Sequence, residues 1–160
     1  GILLMVLGLA GTAIQARAQG VPFPPPREIR VFTAQGLSFG TFFPSTSSGT
    51  VSVSHSGSRT GNGVILAGGF WNQAIFVVEL LPGRLVSISI GTDVVLTRTG
   101  GGGSMNLSIG PTDKGNSFVT SGGHPFRNLV NVGGTLTVGT ITVNPPGEYT
   151  GTFSVTFIQE

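Results

Sequence analysis

From Arg27 onward the chain alternates apolar and hydroxyl-bearing residues with a period of two, and Gly, Pro or Asn interrupts the alternation about every eight to twelve residues. In Thr50-Val-Ser-Val-Ser54 the valines fall on one face and the hydroxyls on the other. Val86, Ile88 and Ile90 share a face in Leu85–Ile90, as do Met105, Leu107 and Ile109 further on. The last such segment sets Tyr149, Gly151, Phe153, Val155 and Phe157 opposite Thr150, Thr152, Ser154 and Thr156. Strands with one dry and one wet face belong to antiparallel sheets, because parallel sheets covered on both sides read as continuous apolar runs. The pattern predicts an all-β fold, an Ig-like antiparallel β-sandwich of Greek-key type spanning residues 27–160.

Further strands are predicted at Glu28–Thr33, Leu37–Phe43, Gly63–Ala67, Ala74–Leu80, Val94–Thr97, Ser117–Ser121, Asn128–Val132 and Thr135–Val143. Phe70, Ala74, Val77 and Leu81 fall at helical spacing, but the β-branched and aromatic run Ile75-Phe-Val-Val78 favours a strand. Composition agrees: 27 glycines and abundant Ser and Thr disfavour helices, and 39% hydrophobic residues disfavour disorder.

Residues 2–10, ILLMVLGLA, are an apolar run followed by Ala16-Arg17-Ala18, which reads as a signal peptide over residues 1–18 ending in an A-x-A cleavage site. The run is too short for a transmembrane span. Residues 19–26, with four prolines, read as a stiff spacer that forms neither helix nor central strand. The expected location is therefore secreted, in the periplasm or on the outer cell surface. With no cysteine, stability rests on packing alone. Beyond residue 18, seven basic side chains stand against six acidic ones, and they are scattered, so nucleic acid is not an expected partner.

Gly36-Leu-Ser-Phe-Gly40 matches the nucleophile-elbow pattern, and Ser38, Asp93 or Asp113, and His124 follow in the order that hydrolases use. An elbow needs a helix directly behind the serine, whereas Thr41-Phe-Phe-Pro-Ser is turn and strand material. His55 and His124 lack the i, i+4 spacing of a metal site, and the acids are isolated. Gly110–Ser117 has phosphate-loop spacing but carries Asn116 where the lysine belongs. No catalytic residue, cofactor or metal is expected, and the chain reads as non-enzymatic. Trp71, beside Phe70, Asn72 and Gln73, reads either as an aromatic plug at one end of the sandwich or as a glycan-stacking platform. Thr150–Gln159, with Phe153, Val155 and Phe157, reads as an unpaired terminal strand from which self-association starts.

Leu37-Ser-Phe-Gly40, the run GTFFPSTSSGTVSVSHSGSRT that overlaps it, Gly61–Ile65, GTLTV at Gly134–Val138 and PPGEYTGTFSVTF at Pro145–Phe157 carry a resemblance. Together they are similar to an uncharacterised bacterial family of secreted Gly- and Thr-rich domains, with an L-x-F-G near the mature N-terminus and a closing G-x-Y-x-G-x-F-x-V strand. That family more distantly resembles the pilin-like subunits of chaperone–usher fimbriae and spore-coat-type subunits. The resemblance implies a structural or adhesive surface subunit that self-associates by strand donation. It also implies a periplasmic chaperone and an outer-membrane usher as partners. The proline-rich spacer departs from the pattern of a donor strand, which makes Ile29, Val31 and Thr33 the donor candidates.

Overall fold

The computed structural model describes residues 3–13 and 28–160, and the proline-rich spacer lies outside the described residues. The described residues form fifteen strands: β1 (Leu3–Ala13), β2 (Arg30–Gln35), β3 (Ser38–Phe39), β4 (Phe42–Pro44), β5 (Gly49–Val53), β6 (Arg59–Asn62), β7 (Val64–Leu66) and β8 (Trp71–Asn72). They continue with β9 (Ala74–Glu79), β10 (Leu85–Ile90), β11 (Val94–Arg98), β12 (Ser104–Thr112), β13 (Ser117–Val119), β14 (Arg127–Val138) and β15 (Gly147–Gln159). There is no helix among the described residues, hence none long and apolar enough to cross a membrane. The fold is an all-β sandwich.

The main path of hydrogen-bonded neighbours runs β2-β9-β14-β12-β11-β15-β1-β3-β8, with β10 beside β15, β5 beside β14 and β4 beside β1. Every pair is antiparallel except β1 with β15, which is parallel. The alternation in sequence becomes alternation of burial: Val86 and Ile88 of β10, Met105 and Leu107 of β12, and Tyr149, Phe153, Val155 and Phe157 of β15 are buried. Phe76 meets Phe153 edge-on at 6.3 Å and Phe157 at 5.6 Å, which joins β9 to β15 through the core.

Three segments depart from the sequence reading. The periodicity predicts Asn128–Val132 and Thr135–Val143 as separate strands, but β14 runs unbroken through Gly133-Gly134 and ends at Val138, and residues 141–143 form a turn. The reason is close approach: the first half of β14 pairs β9, the second half pairs β5, and at the changeover a Cβ on Gly133 would collide with the Val53 carbonyl oxygen. Leu37–Phe43 is divided into β3 and β4 at Gly40, whose φ of 76° breaks the strand. The closing strand β15, which the sequence marks as an unpaired edge, is paired on both sides. The segment that reads as a leader contributes β1 to that pairing.

Candidate functional site

Thirteen residues make β15 the longest strand, and its aromatic and β-branched inward row fixes its register against the core. Its start is anchored by Arg98, whose Nε donates to the Pro146 carbonyl at 2.7 Å, and by Tyr149. The Tyr149 hydroxyl donates to the Pro145 carbonyl at 2.8 Å. Burial pushes its pKa above the ordinary value, against smaller opposing effects of Asn144 and the Arg98 charge.

One edge of β15 is shared by β11 at Tyr149–Thr150 and β10 at Val155–Gln159. Between them Gly91, Thr92 and Asp93 bow away and leave a cavity of about 320 Å³ beside Thr152 and Ser154. The other edge is filled by β1 in eleven consecutive pairs, from Leu3 with Gly147 to Ala13 with Phe157. On its far side β1 pairs Val6 with Ser38 and Leu3 with Phe42. It therefore occupies a slot one strand wide, with β15 as one wall and β3–β4 as the other.

The second wall is held by Arg59 of β6. Its Nη1 donates to the carbonyls of Phe39 (3.0 Å) and Thr41 (3.1 Å), its Nη2 donates to that of Ala67, and its guanidinium carbon lies 4.0 Å from the Trp71 ring centre. Burial lowers the guanidinium's pKa from its ordinary value. Gly40 is what makes room, since a Cβ there would stand 2.9 Å from Nη1. The pattern Gly36–Gly40 thus has a structural reason: Leu37 and Phe39 enter the core, and Gly40 turns the chain around the arginine.

The remaining candidate residues are dispersed. The Ser38 hydroxyl donates to the Phe70 carbonyl at 2.9 Å, and the chain continues from it into β4. Asp113 accepts from the backbone and side-chain amides of Asn131, and Asp93 accepts from Asn106. The His124 ring packs against Phe126, and the Asn116 carbonyl accepts from Ile88. Among the described residues no three His, Cys, Asp or Glu side chains are placed to hold a metal ion. Trp71 is 40% exposed and Phe70 is 90% exposed. Ile29 is buried, and β2, which contains Val31 and Thr33, pairs β9 along one edge only. Phe153, Val155 and Phe157 point into the core from the wall of the slot.

Sequence reasoning missed Arg59, although a lone arginine in a chain with only 9% charged residues was its one available signal. It also missed the cross-strand row of Arg30, Glu79 and Arg127, in which Glu79 accepts from Arg127 Nε at 2.9 Å and lies 3.9 Å from Arg30.

A family model described as a domain of unknown function (DUF4402) matches residues 29–158. The chain belongs to the DUF4402 family. The matched span contains β3, β4 and nearly all of β15, the walls of the slot, and excludes β1, its occupant. No curated protein and no solved structure matches the chain.

Proposed function

We propose that the chain is a secreted, non-enzymatic structural or adhesive subunit of a bacterial cell surface, pilin-like in that copies assemble through shared strands. The observation that carries this reading is the edge of β15, which takes an added strand over eleven residues from outside the span of the family domain. Such an edge is a template for pairing, because each unpaired N–H and C=O along it seeks a partner. The low charge and the rows of Ser and Thr on the outer faces suit lateral packing. A subunit with an unfilled slot requires protection before assembly, which fits a periplasmic chaperone and an outer-membrane usher as partners. Electron microscopy of the purified protein is expected to show fibres, and the melting midpoint is expected to rise with concentration. A constant midpoint across a wide dilution series, with single particles only, would contradict the proposal.

A second reading rests on Trp71 and Phe70, which leave aromatic surface open to solvent despite the Arg59 contact. In that reading the chain is a carbohydrate-binding module. Saturable binding on a glycan array that is lost in Trp71→Ala would favour it over the structural subunit.

A further inference from the structure

We propose that Asn62-Gly63 is a site of spontaneous backbone modification, at which the folded chain converts Asn62 to isoaspartate and thereby loosens the hold of Arg59 on β3–β4. The reaction needs no partner but water. The backbone nitrogen of Gly63 gives up its proton and attacks Cγ of Asn62, the new N–C bond closes a five-membered imide, and Nδ2 takes up a proton and leaves as ammonia. Water then opens the imide. Opening at the former backbone carbonyl leaves the chain running through Cβ and Cγ, with the old backbone carbon as a free carboxylate. Asn-Gly is the pair best suited to this closure, because the attacking nitrogen belongs to a residue with no Cβ to crowd it. Of the seven asparagines in the chain, only Asn62 precedes a glycine.

The fold leaves both reacting groups unoccupied. In an antiparallel pair, opposite residues alternate between hydrogen-bonded and non-bonded. The Ser54 amide donates to the Ser58 carbonyl at 2.9 Å, and β5 and β6 continue from there in register, from Val53 with Arg59 to Thr50 with Asn62. The bonded pairs are therefore 54 with 58, 52 with 60 and 50 with 62, so Asn62 bonds Thr50 and the Gly63 amide points away from β5. β6 has no second ladder partner among the described residues, and that amide is free to lose its proton. The Asn62 side chain is exposed and borders a cavity of about 290 Å³ with Ser48, Thr50 and Thr137, which gives the ring room to close. Five other asparagines are held: Asn72 donates to the Gly36 carbonyl, Asn106 to Asp93, Asn128 to the Val78 carbonyl, Asn131 to Asp113 and Asn144 to the Ser104 carbonyl. Asn116 precedes Ser117, whose Cβ crowds the closure. The consequence follows from where the joint lies. It leads from β6, which carries Arg59, into β7, which pairs β4: the Gly63 carbonyl accepts from Ser45 Oγ at 3.0 Å, and Val64 pairs Pro44. An added backbone carbon at residue 62 displaces these contacts relative to Thr50, and with them one wall of the slot.

The test incubates the full chain at mildly alkaline pH, native and in denaturant, and maps its peptides by mass spectrometry, with isoaspartate identified by enzymatic methylation. Native protein is expected to release ammonia and to convert at Asn62 first, with isoaspartate among the products, while the five held asparagines stay intact. Conversion through the unfolded state alone makes the native rate lower than the denatured rate by about 10³ or more. A ratio that large would overturn the site, and a smaller one is the expected result. Equal native rates at Asn62 and at the held asparagines would overturn it too. Asn62→Gln is expected to abolish the conversion, since its closure needs a larger ring. The isoaspartyl form, isolated by chromatography, is expected to show changed Trp71 fluorescence and a lower denaturation midpoint. Asn62→Asp adds the charge without the backbone carbon and is expected to leave both close to those of the unmodified chain. An isoaspartyl form that matches the unmodified chain in both readouts would overturn the coupling to Arg59, and an Asn62→Asp chain that matches the isoaspartyl form would overturn the added carbon as its cause.

Discussion

The guanidinium of Arg59 lies over the ring of the one tryptophan of the chain, Trp71, with its carbon 4.0 Å from the ring centre, while its nitrogens hold three backbone carbonyls. A side chain from β6 thereby does for β3 and β4 what a neighbouring strand would otherwise do. Arg59→Ala leaves those carbonyls without their charged donor and is expected to cost about 2–3 kcal/mol. Arg59→Lys is expected to recover little of this, since a point charge does not span three acceptors. Denaturant titration followed by Trp71 fluorescence reads both effects, because the same residue reports the loss of the stacked arginine.

Gly133 lies where β14 passes from β9 to β5, against the backbone of Val53. Gly133→Ala forces that backbone to move and is expected to cost about 1–3 kcal/mol. Gly83→Ala has open space around it but a φ of 81°, so its cost comes from backbone strain alone and is expected to be about 1 kcal/mol. A larger shift in denaturation midpoint for Gly133→Ala than for Gly83→Ala, at unchanged slope, distinguishes contact from strain.

Tyr149 is the one tyrosine of the chain, and burial raises its pKa. In the unfolded chain its hydroxyl ionises near pH 10. The folded state holds the proton to higher pH, so above pH 10 the unfolded state binds fewer protons and stability falls as pH rises. Below pH 10 this group contributes no pH dependence. Titration of tyrosinate absorbance is expected to show a higher midpoint in native than in denatured protein. Tyr149→Phe is expected to remove the alkaline loss contributed by this group and to cost about 1 kcal/mol at neutral pH through the lost bond to the Pro145 carbonyl.

Glu79 stands between Arg30 and Arg127 on the outer face of β2, β9 and β14. Both arginines are more than half exposed, so Glu79→Gln is expected to cost less than about 1 kcal/mol, and the cost is expected to shrink in high salt. Thermal melts at two ionic strengths check this.

The strands that were legible in the sequence are those whose facing is set locally. Val86 and Ile88 are buried as their alternation requires, and the inward row of β15 is the one the pattern marks. What was not legible depends on residues far apart in the chain. Gly133-Gly134 reads as a gap between two strands until Val53 is placed beside it, and Gly40 reads as part of an enzyme motif until Arg59 occupies the space next to it. The pairing of β1 with β15 joins Leu3 to Gly147, and no local pattern encodes it. The apolar run that forms β1 has instead the composition of a leader, which is why its pairing with β15 is not read from the sequence.

The dependence of β15 on an added strand is tested most directly by amide hydrogen exchange over residues 147–157, in the full chain and in the chain that begins after residue 18, both at low concentration. The account predicts slow exchange in the full chain, and in the shorter one fast exchange at those amides of residues 147–157 that face β1, with the amides facing β10 and β11 less affected. Equal protection of these residues in both chains, with the shorter one remaining monomeric, would contradict it.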